Sequence, residues 1–333
     1  MKTPGIFLCD SLEQMARVWG PAPRARLHKL VEIPERVFNS SSLLKGGKAV
    51  EEAEVVFSTW GMPSLTPEQL KVLPRLRAVF YAAGTVKDFA PALLDQGVIV
   101  VSAWAANAVP VAEYILSQIL FSMKLGWSHV RQLRQSPGPL GWNRLNMPGA
   151  YGSTVGLVAL GMVGRKVCEL LQPFSLNKLA YDPFVAEEEM SKLDIRSATL
   201  EEVFAKSEVV SLHLPALPET LGMIDGNLLA SMKLNATLIN TARGSVINEG
   251  EMLEVLRARP DLTAVLDVAE EEPPSAASPL YRLPNVVLTP HIAGAMGNET
   301  GRMADWIIDE FIAWKAGRPL RYQITLDRLK VLA

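Results

Sequence analysis

Three short polar segments carry side chains that could do acid–base chemistry and bind an anion. They cover residues 240–244, 266–273 and 288–294, and each includes or follows the end of a short apolar run. The first contains Arg243, the second three consecutive glutamates and the third His291. If the apolar runs are parallel strands, their carboxyl ends share one edge of a sheet, where open α/β sheets bind ligands. The sequence therefore predicts an arginine, a carboxylate and a histidine at one site.

A fourth motif has the spacing of a dinucleotide-binding turn. The apolar run 154–160 leads into Gly161, Met162, Val163 and Gly164 and then a helical pattern, with Ala159 at the first glycine position of G-x-G-x-x-G. The second glycine would admit a pyrophosphate, the third would allow close helix packing, and the helix N-terminus would attract phosphate. A tight strand-to-helix turn without a ligand is the alternative interpretation.

An acidic residue follows the next predicted strand. Asp182 comes about 20 residues after Gly161, the spacing at which a carboxylate accepts hydrogen bonds from the adenosine ribose. The same carboxylate would repel a 2′-phosphate, so the sequence favours NAD over NADP. The alternative is that Asp182 is only a turn residue before Pro183.

The elements that would position these motifs alternate along the chain. Apolar runs and helical segments recur about every 20 to 30 residues, which is typical of an α/β fold with parallel sheets. The predicted strands cover residues 5–9, 54–58, 76–81, 98–101, 154–160, 179–181, 209–212, 236–240, 262–266 and 286–288. Capping boxes that start at Thr66, Thr199 and Asn248 predict three helix starts.

Length and local composition predict two domains. The 333 residues are about twice the length of an average domain. Two longer helices, at about 109–124 and 299–315, are predicted to be the crossings between the domains, and a final strand-like stretch returns the chain to the first one. The segment 126–151 contains three prolines and no clear period, which predicts a long loop or arm.

Composition disfavours several classes of protein. The 33 Lys and Arg residues nearly balance the 35 Asp and Glu residues, which disfavours nucleic-acid and anionic-membrane partners. The 49% share of hydrophobic residues argues against disorder. Two cysteines cannot form a disulfide framework, and the four scattered histidines lack the spacing of metal ligands. With no signal-peptide pattern, we expect a cytoplasmic protein without a membrane span or a metal.

The order of the motifs resembles that of the D-isomer-specific 2-hydroxyacid dehydrogenase family. The resemblance runs from about residue 55 to residue 319 and includes the Leu-His-Leu-Pro segment at 212–215. It implies an α/β fold of two doubly wound parallel-sheet domains. A Rossmann NAD-binding domain, 107–296, is inserted into a discontinuous flavodoxin-like substrate domain, 1–106 plus 297–333. The resemblance also implies a homodimer that pairs through the NAD-binding domain, with Trp127 and Trp142 of the arm as plausible contacts.

The resemblance assigns catalytic roles to three residues. His291 is expected to exchange a proton with the substrate oxygen, since an imidazole pKa of about 6.5 suits both directions. Glu272 is expected to orient His291, because the family's acid directly precedes a proline, here Pro273. Arg243 is expected to hold the substrate carboxylate with its planar fork. Taken singly, these residues also fit an acidic loop, a helix-entry cation and a turn histidine.

The same carry-over predicts the binding residues. The cofactor contacts are Gly161, Met162, Val163, Gly164, Asp182, Leu214, Pro215, Thr241, Ala242, Asp267 and Gly294. The substrate carboxylate is expected at the loop Ala83, Gly84 and Thr85, with Trp60 nearby. The loop departs from the family pattern because it continues Val-Lys-Asp, and Ala269 stands where an aromatic residue is common. His213 is expected to be structural.

The implied activity is hydride transfer between NAD(H) and a small, unphosphorylated 2-hydroxy or 2-oxo acid of D configuration, of the glyoxylate or hydroxypyruvate type. Relatives that bind phosphorylated substrates place an arginine after the second strand, where this chain has Trp60. Trp60, Tyr81 and Trp104 end predicted strands, so they either line an apolar substrate pocket or simply pack. The alternative function is an NAD-sensing, corepressor-like binding protein. An amino-acid dehydrogenase would need a lysine in place of the histidine.

Overall fold

A computed structural model describes residues 2–331 of the chain. The chain divides into two compact units, one made of the residues up to Asn107 and from Ala295 onward, the other of Ala108–Gly294. The sequence prediction placed these two breaks after residues 106 and 296.

The strands are short, and most are buried on both faces, as expected for parallel sheets covered by helices. They are β1 (Thr3–Leu8), β2 (Val31–Glu32), β3 (Val37–Phe38), β4 (Val55–Ser58), β5 (Ala78–Tyr81), β6 (Ile99–Ser102), β7 (Thr154–Val158), β8 (Asn177–Tyr181), β9 (Arg196–Ser197), β10 (Val209–Leu212), β11 (Thr237–Asn240), β12 (Thr263–Leu266), β13 (Val286–Leu288) and β14 (Gln323–Ile324).

Fifteen helices connect or flank these strands in the part of the chain that the structure describes. They are α1 (Leu12–Val18), α2 (Pro21–His28), α3 (Ser40–Leu43), α4 (Lys48–Glu51), α5 (Pro67–Lys71), α6 (Ala90–Leu94), α7 (Trp104–Ser122), α8 (Gly126–Gln135), α9 (Met162–Leu171), α10 (Glu187–Lys192), α11 (Leu200–Lys206), α12 (Gly226–Ala230), α13 (Glu249–Ala258), α14 (Glu299–Lys315) and α15 (Leu326–Val331). Gly244–Val246 and Pro279–Tyr281 are 3₁₀ turns.

The first unit has a flavodoxin-like sheet. Its strand order is β14-β6-β5-β4-β1-β2, and β3 also pairs with β1. All pairs are parallel except β14 with β6. Apolar side chains cover both faces, one cluster around Phe57 and Phe311 and the other around Val79 and Leu93.

The second unit has a Rossmann sheet. Its seven strands are parallel in the order β13-β12-β11-β10-β7-β8-β9, so the order reverses at β7. The carboxyl ends of these strands carry the three polar motifs and the glycine turn. Together the two sheets confirm the predicted fold class of two doubly wound α/β domains.

Some local predictions were wrong or incomplete. All ten predicted strands are present, but the two-residue strands β2, β3 and β9 were missed because they are too short to show a period. The segment 126–151 was predicted to lack regular structure, yet it begins with the ten-residue helix α8. The prolines that suggested a loop all follow this helix. Asn248 caps α13 through the Glu251 amide, but the Glu251 carboxylate binds other groups.

The described helices include none that is long and apolar enough to span a membrane by itself. The pair α7 and α8, which bends by 60°, meets that length and composition criterion only when both helices are counted together.

Candidate active site

His291 and Glu272 form a direct pair in the second unit. The His291 Nδ1 atom lies 2.7 Å from Glu272 Oε2, so the imidazole donates its Nδ1 proton to the carboxylate. The other Glu272 oxygen accepts a 3.3 Å hydrogen bond from the Ala269 amide. This pairing fixes the ring and leaves Nε2 as the nitrogen that can exchange a proton with a ligand. It also distinguishes Glu272 from Glu270, whose amide bonds to the Glu249 carboxylate on α13.

A buried aspartate holds the histidine loop in place. Asp267 is 2% exposed and follows β12. Its carboxylate accepts hydrogen bonds from the amides of Ile292 and Ala293 at 2.9 and 2.8 Å and from the Thr289 hydroxyl at 2.6 Å. The backbone of His291 itself has φ of 53°, a left-handed conformation that these bonds help to impose. Contact between Asp267 and a nicotinamide stays a prediction, since its visible role is to anchor the loop.

Arg243 is a half-buried cation. Its guanidinium donates one 2.6 Å hydrogen bond to the Ala242 carbonyl, and no carboxylate in the described residues lies within ion-pair distance. Burial lowers the pKa of Arg243 from its ordinary value, and the nearby Glu272 charge opposes that effect. A partly buried charge without an ion-pair partner is costly, and the binding of an anionic ligand by Arg243 stays a prediction.

The turn that carries Arg243 is built by its own sequence. The Asn240 side chain accepts from the Ala242 amide at 3.0 Å and donates to the Arg243 carbonyl at 2.9 Å, which closes the turn after β11. Gly244 packs directly on the next motif, because a Cβ there would lie 1.9 Å from the Ala269 carbonyl carbon. The Arg243 turn and the Glu272 loop are therefore in contact.

The glycine turn fits a dinucleotide. A Cβ at Gly164 would lie 2.4 Å from the Ala159 carbonyl oxygen, so only glycine allows this close packing of α9 on β7. Gly161 faces open space, and no side chain caps the N-terminus of α9. Free amides at a helix N-terminus beside open space suit a pyrophosphate. Ala159 adopts φ of 75°, a left-handed conformation that costs an alanine about 1–2 kcal/mol.

Asp182 lies beside this turn at the end of β8. Its carboxylate accepts from the Leu160 amide at 2.7 Å and from the Phe184 amide at 2.9 Å. These two bonds hold the carboxylate at the rim of the glycine turn, where it could also accept from ribose hydroxyls. The sequence left two interpretations of Asp182 open, a turn residue and a ribose acceptor. The same carboxylate could serve both roles.

The remaining predicted cofactor contacts differ in exposure. Met162 and Val163 form the first turn of α9, with Met162 exposed. Leu214 is buried in a core cluster, Pro215 is half-buried, and Thr241, Ala242 and Gly294 are half-buried near the ends of β11 and β13. Their contacts with a cofactor stay predictions.

The predicted carboxylate loop lies in the first unit, after β5. The amides of Gly84 and Thr85 make no hydrogen bond within residues 2–331, while the Ser102 hydroxyl holds the Ala83 and Gly84 carbonyls. Donors left unpaired in this way suit an anion. The assignment of this loop to a substrate stays a prediction.

The aromatic residues near that loop have different environments. Tyr81 is 4% exposed and packs edge-on against Phe89, and burial raises its pKa. Trp104 packs against Tyr322. For these two residues the structure favours packing over a pocket wall. Trp60 instead lies under the guanidinium of Arg17, at 5.5 Å from the ring centroid.

Comparison with known proteins places this geometry in a family. Residues 122–293 match the model described as "D-isomer specific 2-hydroxyacid dehydrogenase, NAD binding domain". The chain belongs to the D-isomer specific 2-hydroxyacid dehydrogenase family. The matched domain is an NAD-binding domain, so the cofactor of this chain is NAD.

Relatives within the family carry different names. The chain is 31% identical to a glyoxylate reductase of Korarchaeum cryptofilum over 75% of this chain and 76% of that protein. It is also 31% identical to a D-3-phosphoglycerate dehydrogenase of Archaeoglobus fulgidus, over 72% of this chain and 45% of that protein. The chain spans about half the length of the phosphoglycerate dehydrogenases it matches.

Solved structures show the same fold. A phosphoglycerate oxidoreductase from Rhizobium etli superimposes with a TM-score of 0.80 over 98% of this chain and 99% of that one, at 21% identity. The likeness is one of fold.

Sequence reasoning missed three side chains that lie against predicted motifs or residues, one in the first unit and two in the second. Tyr114 on α7 lies 3.1 Å from the Thr289 hydroxyl, Tyr281 lies beside the His291–Glu272 pair, and Arg17 lies over Trp60. Tyr114 and Arg17 are distant in sequence from the residues they approach, so no local pattern could have found them. Tyr281 lies between the second and third motifs but belongs to neither.

Proposed function

We propose that this 2-hydroxyacid dehydrogenase interconverts a small, unphosphorylated 2-oxo acid and its D-2-hydroxy acid with NAD(H). The observation that carries the proposal is the 2.7 Å His291–Glu272 pair beside the half-buried guanidinium of Arg243, which lies near Glu272 but forms no ion pair with any described carboxylate. These are the proton carrier, its orienting carboxylate and the carboxylate-binding cation that the reaction requires.

Each site residue has one proposed role in the reaction. NAD, when bound, supplies or accepts the hydride at the substrate C2. His291 Nε2 gives a proton to the developing alkoxide during reduction and takes it back during oxidation, while Glu272 stabilises the imidazolium through Nδ1. Arg243 holds the substrate carboxylate and polarises the carbonyl. Asp182 favours NAD because a 2′-phosphate beside its carboxylate would be repelled.

The proposal also covers the binding of the substrate carboxylate by the first-unit loop, the type of substrate side chain and a homodimer formed through the arm. The unpaired amides of Gly84 and Thr85 support a role in receiving the substrate carboxylate. No lysine or arginine occurs in residues 57–61, and the nearby Arg17 guanidinium lies on the Trp60 ring and donates to the Ala295 carbonyl, which supports an unphosphorylated substrate with an uncharged side chain. The exposed apolar residues of the arm support a homodimer.

NADH oxidation tests the activity. Purified protein is incubated with glyoxylate, hydroxypyruvate, pyruvate, 4-methyl-2-oxopentanoate and 3-phosphohydroxypyruvate, and the absorbance of NADH is followed. We expect turnover of the unphosphorylated acids, and a loss in kcat/KM of about 100-fold or more in Arg243→Ala. Arg196→Ala, which removes an exposed arginine on β9, serves as the matched control.

Two results would contradict the proposal. Preference for the phosphorylated acid would exclude the unphosphorylated substrate class. Tight NADH binding without turnover of any acid would exclude the dehydrogenase activity itself.

A further inference from the structure

A cavity of about 380 Å³ lies beside the His291–Glu272 pair. It belongs entirely to the second unit and is formed by residues 267–269, 272–274, 281 and 288–291. Its volume is within the range of about 300–1,000 Å³ that small-molecule pockets occupy. It is therefore large enough for a substrate side chain next to the proton-transferring imidazole.

The charged groups at this cavity already have partners. Glu272 accepts the proton of His291 Nδ1, and Asp267 accepts three hydrogen bonds from the histidine loop. None of the lining residues is lysine or arginine. An anionic group placed here would meet two carboxylates and no fixed cation, so the cavity disfavours a phosphate or a second carboxylate.

The rest of the wall is apolar. It consists of Val268, Ala269, Pro273, Pro274, Leu288 and Pro290, with the ring of Tyr281 beside them. Cavities with mostly apolar walls favour apolar groups over water. Prolines and short side chains make this wall stiff, so the space does not close by a change of rotamer.

We propose that this cavity receives the side chain of the substrate, and that the substrate is a 2-oxo acid with a branched aliphatic or aromatic side chain. The inference rests on the proposed function and narrows it from 2-oxo acids in general to this class. The substrate's apolar side chain would bind in the cavity, away from the reacting C2 atom. Its binding energy would then make the protein discriminate between substrates.

Two wall residues set the size of the space. Ala269 is buried, and its side chain is the smallest that a chiral residue can place at the inner wall. Tyr281 is 54% exposed, and its hydroxyl donates to the Pro274 carbonyl at 3.3 Å. A larger residue at position 269 reduces the volume, and a smaller one at position 281 increases it.

The experiment compares kcat/KM for 4-methyl-2-oxopentanoate and phenylpyruvate with kcat/KM for glyoxylate. We expect the wild-type protein to prefer the two apolar acids. Ala269→Leu should lower that preference by about tenfold or more, since each methylene in a tight pocket changes discrimination by about 10- to 200-fold. Tyr281→Ala should raise kcat/KM for phenylpyruvate relative to kcat/KM for 4-methyl-2-oxopentanoate, because the smaller residue increases the cavity volume. Ala258→Leu, the same change at an exposed position of α13, should leave both ratios unchanged.

A binding measurement separates this inference from the proposed function. The protein with NAD⁺ is titrated calorimetrically with the same three acids. Binding that strengthens with apolar side-chain size, and that Ala269→Leu abolishes, supports the cavity even if no acid is turned over. If the acids are turned over and neither variant changes the ratios of kcat/KM, the assignment of the cavity to the substrate side chain is overturned. Weaker NADH binding in Ala269→Leu at an unchanged substrate ratio also overturns it, because the cavity would then belong to the cofactor.

Discussion

His213 is an imidazole without a hydrogen-bond partner, at the end of β10. Both of its ring nitrogens are buried and unpaired within the described residues. Burial lowers its pKa from 6.5 to about 3, so it is neutral in the folded protein at physiological pH. The ring packs near the glycine turn, 3.3 Å from the position that a Cβ would take at Gly164. We therefore assign His213 a packing role, as the sequence predicted. Because the buried ring stays neutral, it should lower the stability of the folded protein as the pH falls.

The pH dependence of stability tests this assignment. As pH falls below about 6.5, the unfolded chain binds a proton at His213 and the folded chain does not, so stability is lost as pH falls towards about 3. At pH 5 the loss from this group is about 2 kcal/mol. In His213→Leu the difference in unfolding free energy between pH 7.5 and pH 5, measured by urea denaturation, should shrink by that amount. An equal pH difference in the two proteins would refute a buried neutral His213.

Within elements, α7 reaches the histidine loop through a chain of hydrogen bonds. The Thr289 hydroxyl donates its proton to Asp267 at 2.6 Å, so the 3.1 Å bond to Tyr114 must use the tyrosine proton. Burial raises the pKa of Tyr114, its hydrogen bond to Thr289 opposes this, and the Asp267 charge adds to the rise. The tyrosine therefore stays protonated and able to donate. We infer that Tyr114 is a positioning residue for the loop that carries His291.

Tyr114→Phe should weaken catalysis without removing it. One hydrogen bond at the end of the chain contributes about 0.5–1.5 kcal/mol, which corresponds to a decrease in kcat of about two- to tenfold. KM should change less, because Tyr114 is not expected to touch the substrate. Steady-state kinetics measure both constants, and Tyr322→Phe in the first unit is the matched control. A change confined to KM would count against a positioning role.

The glycine turn shows how two neighbouring elements constrain one residue. Gly164 lets α9 contact the end of β7 at a distance that no Cβ would permit. Ala159, at the end of the same strand, keeps the left-handed turn with φ of 75° although it is not glycine. The turn geometry is therefore set by the close helix–strand packing, which outweighs the preference of a single residue.

For the whole molecule, the part of the arm that follows α8 carries three large exposed hydrophobic side chains. Leu140, Trp142 and Tyr151 are 81%, 75% and 90% exposed. Trp127, by contrast, packs on Phe121 at 5.0 Å and donates to Gln118. Of the two tryptophans expected in a dimer contact, Trp142 is exposed and Trp127 is half-buried, so Trp142 is the better candidate for a partner contact.

Sedimentation velocity tests the proposed homodimer. We expect the wild-type protein to sediment as a dimer and Trp142→Ser to shift it towards monomer, because the substitution removes a large apolar contact. Phe184→Ser, which changes an equally exposed aromatic residue outside the arm, should leave the dimer intact. A wild-type protein that sediments as a monomer at every concentration would rule out the dimer.

The sequence by itself determined the features that depend on neighbours along the chain. Continuous apolar runs predicted the ten longer strands, and turn residues with capping boxes predicted several helix starts, because both patterns reflect local backbone geometry. The order of the motifs also placed Arg243, Glu272 and His291 at the ends of parallel strands. Local signals predicted a final strand-like stretch, where β14 lies, but did not reveal β2, β3, β9 or α8.

Only the tertiary structure decided which of these groups meet. Glu272 and His291 follow different strands, and the parallel pairing of β12 with β13 brings them to 2.7 Å. The partial burial of Arg243, the contact of Tyr114 with Thr289 and the cavity beside Ala269 likewise depend on packing between segments that are not adjacent in sequence. Residue spacing cannot specify such contacts, because strand order and side-chain packing set the distances across a sheet.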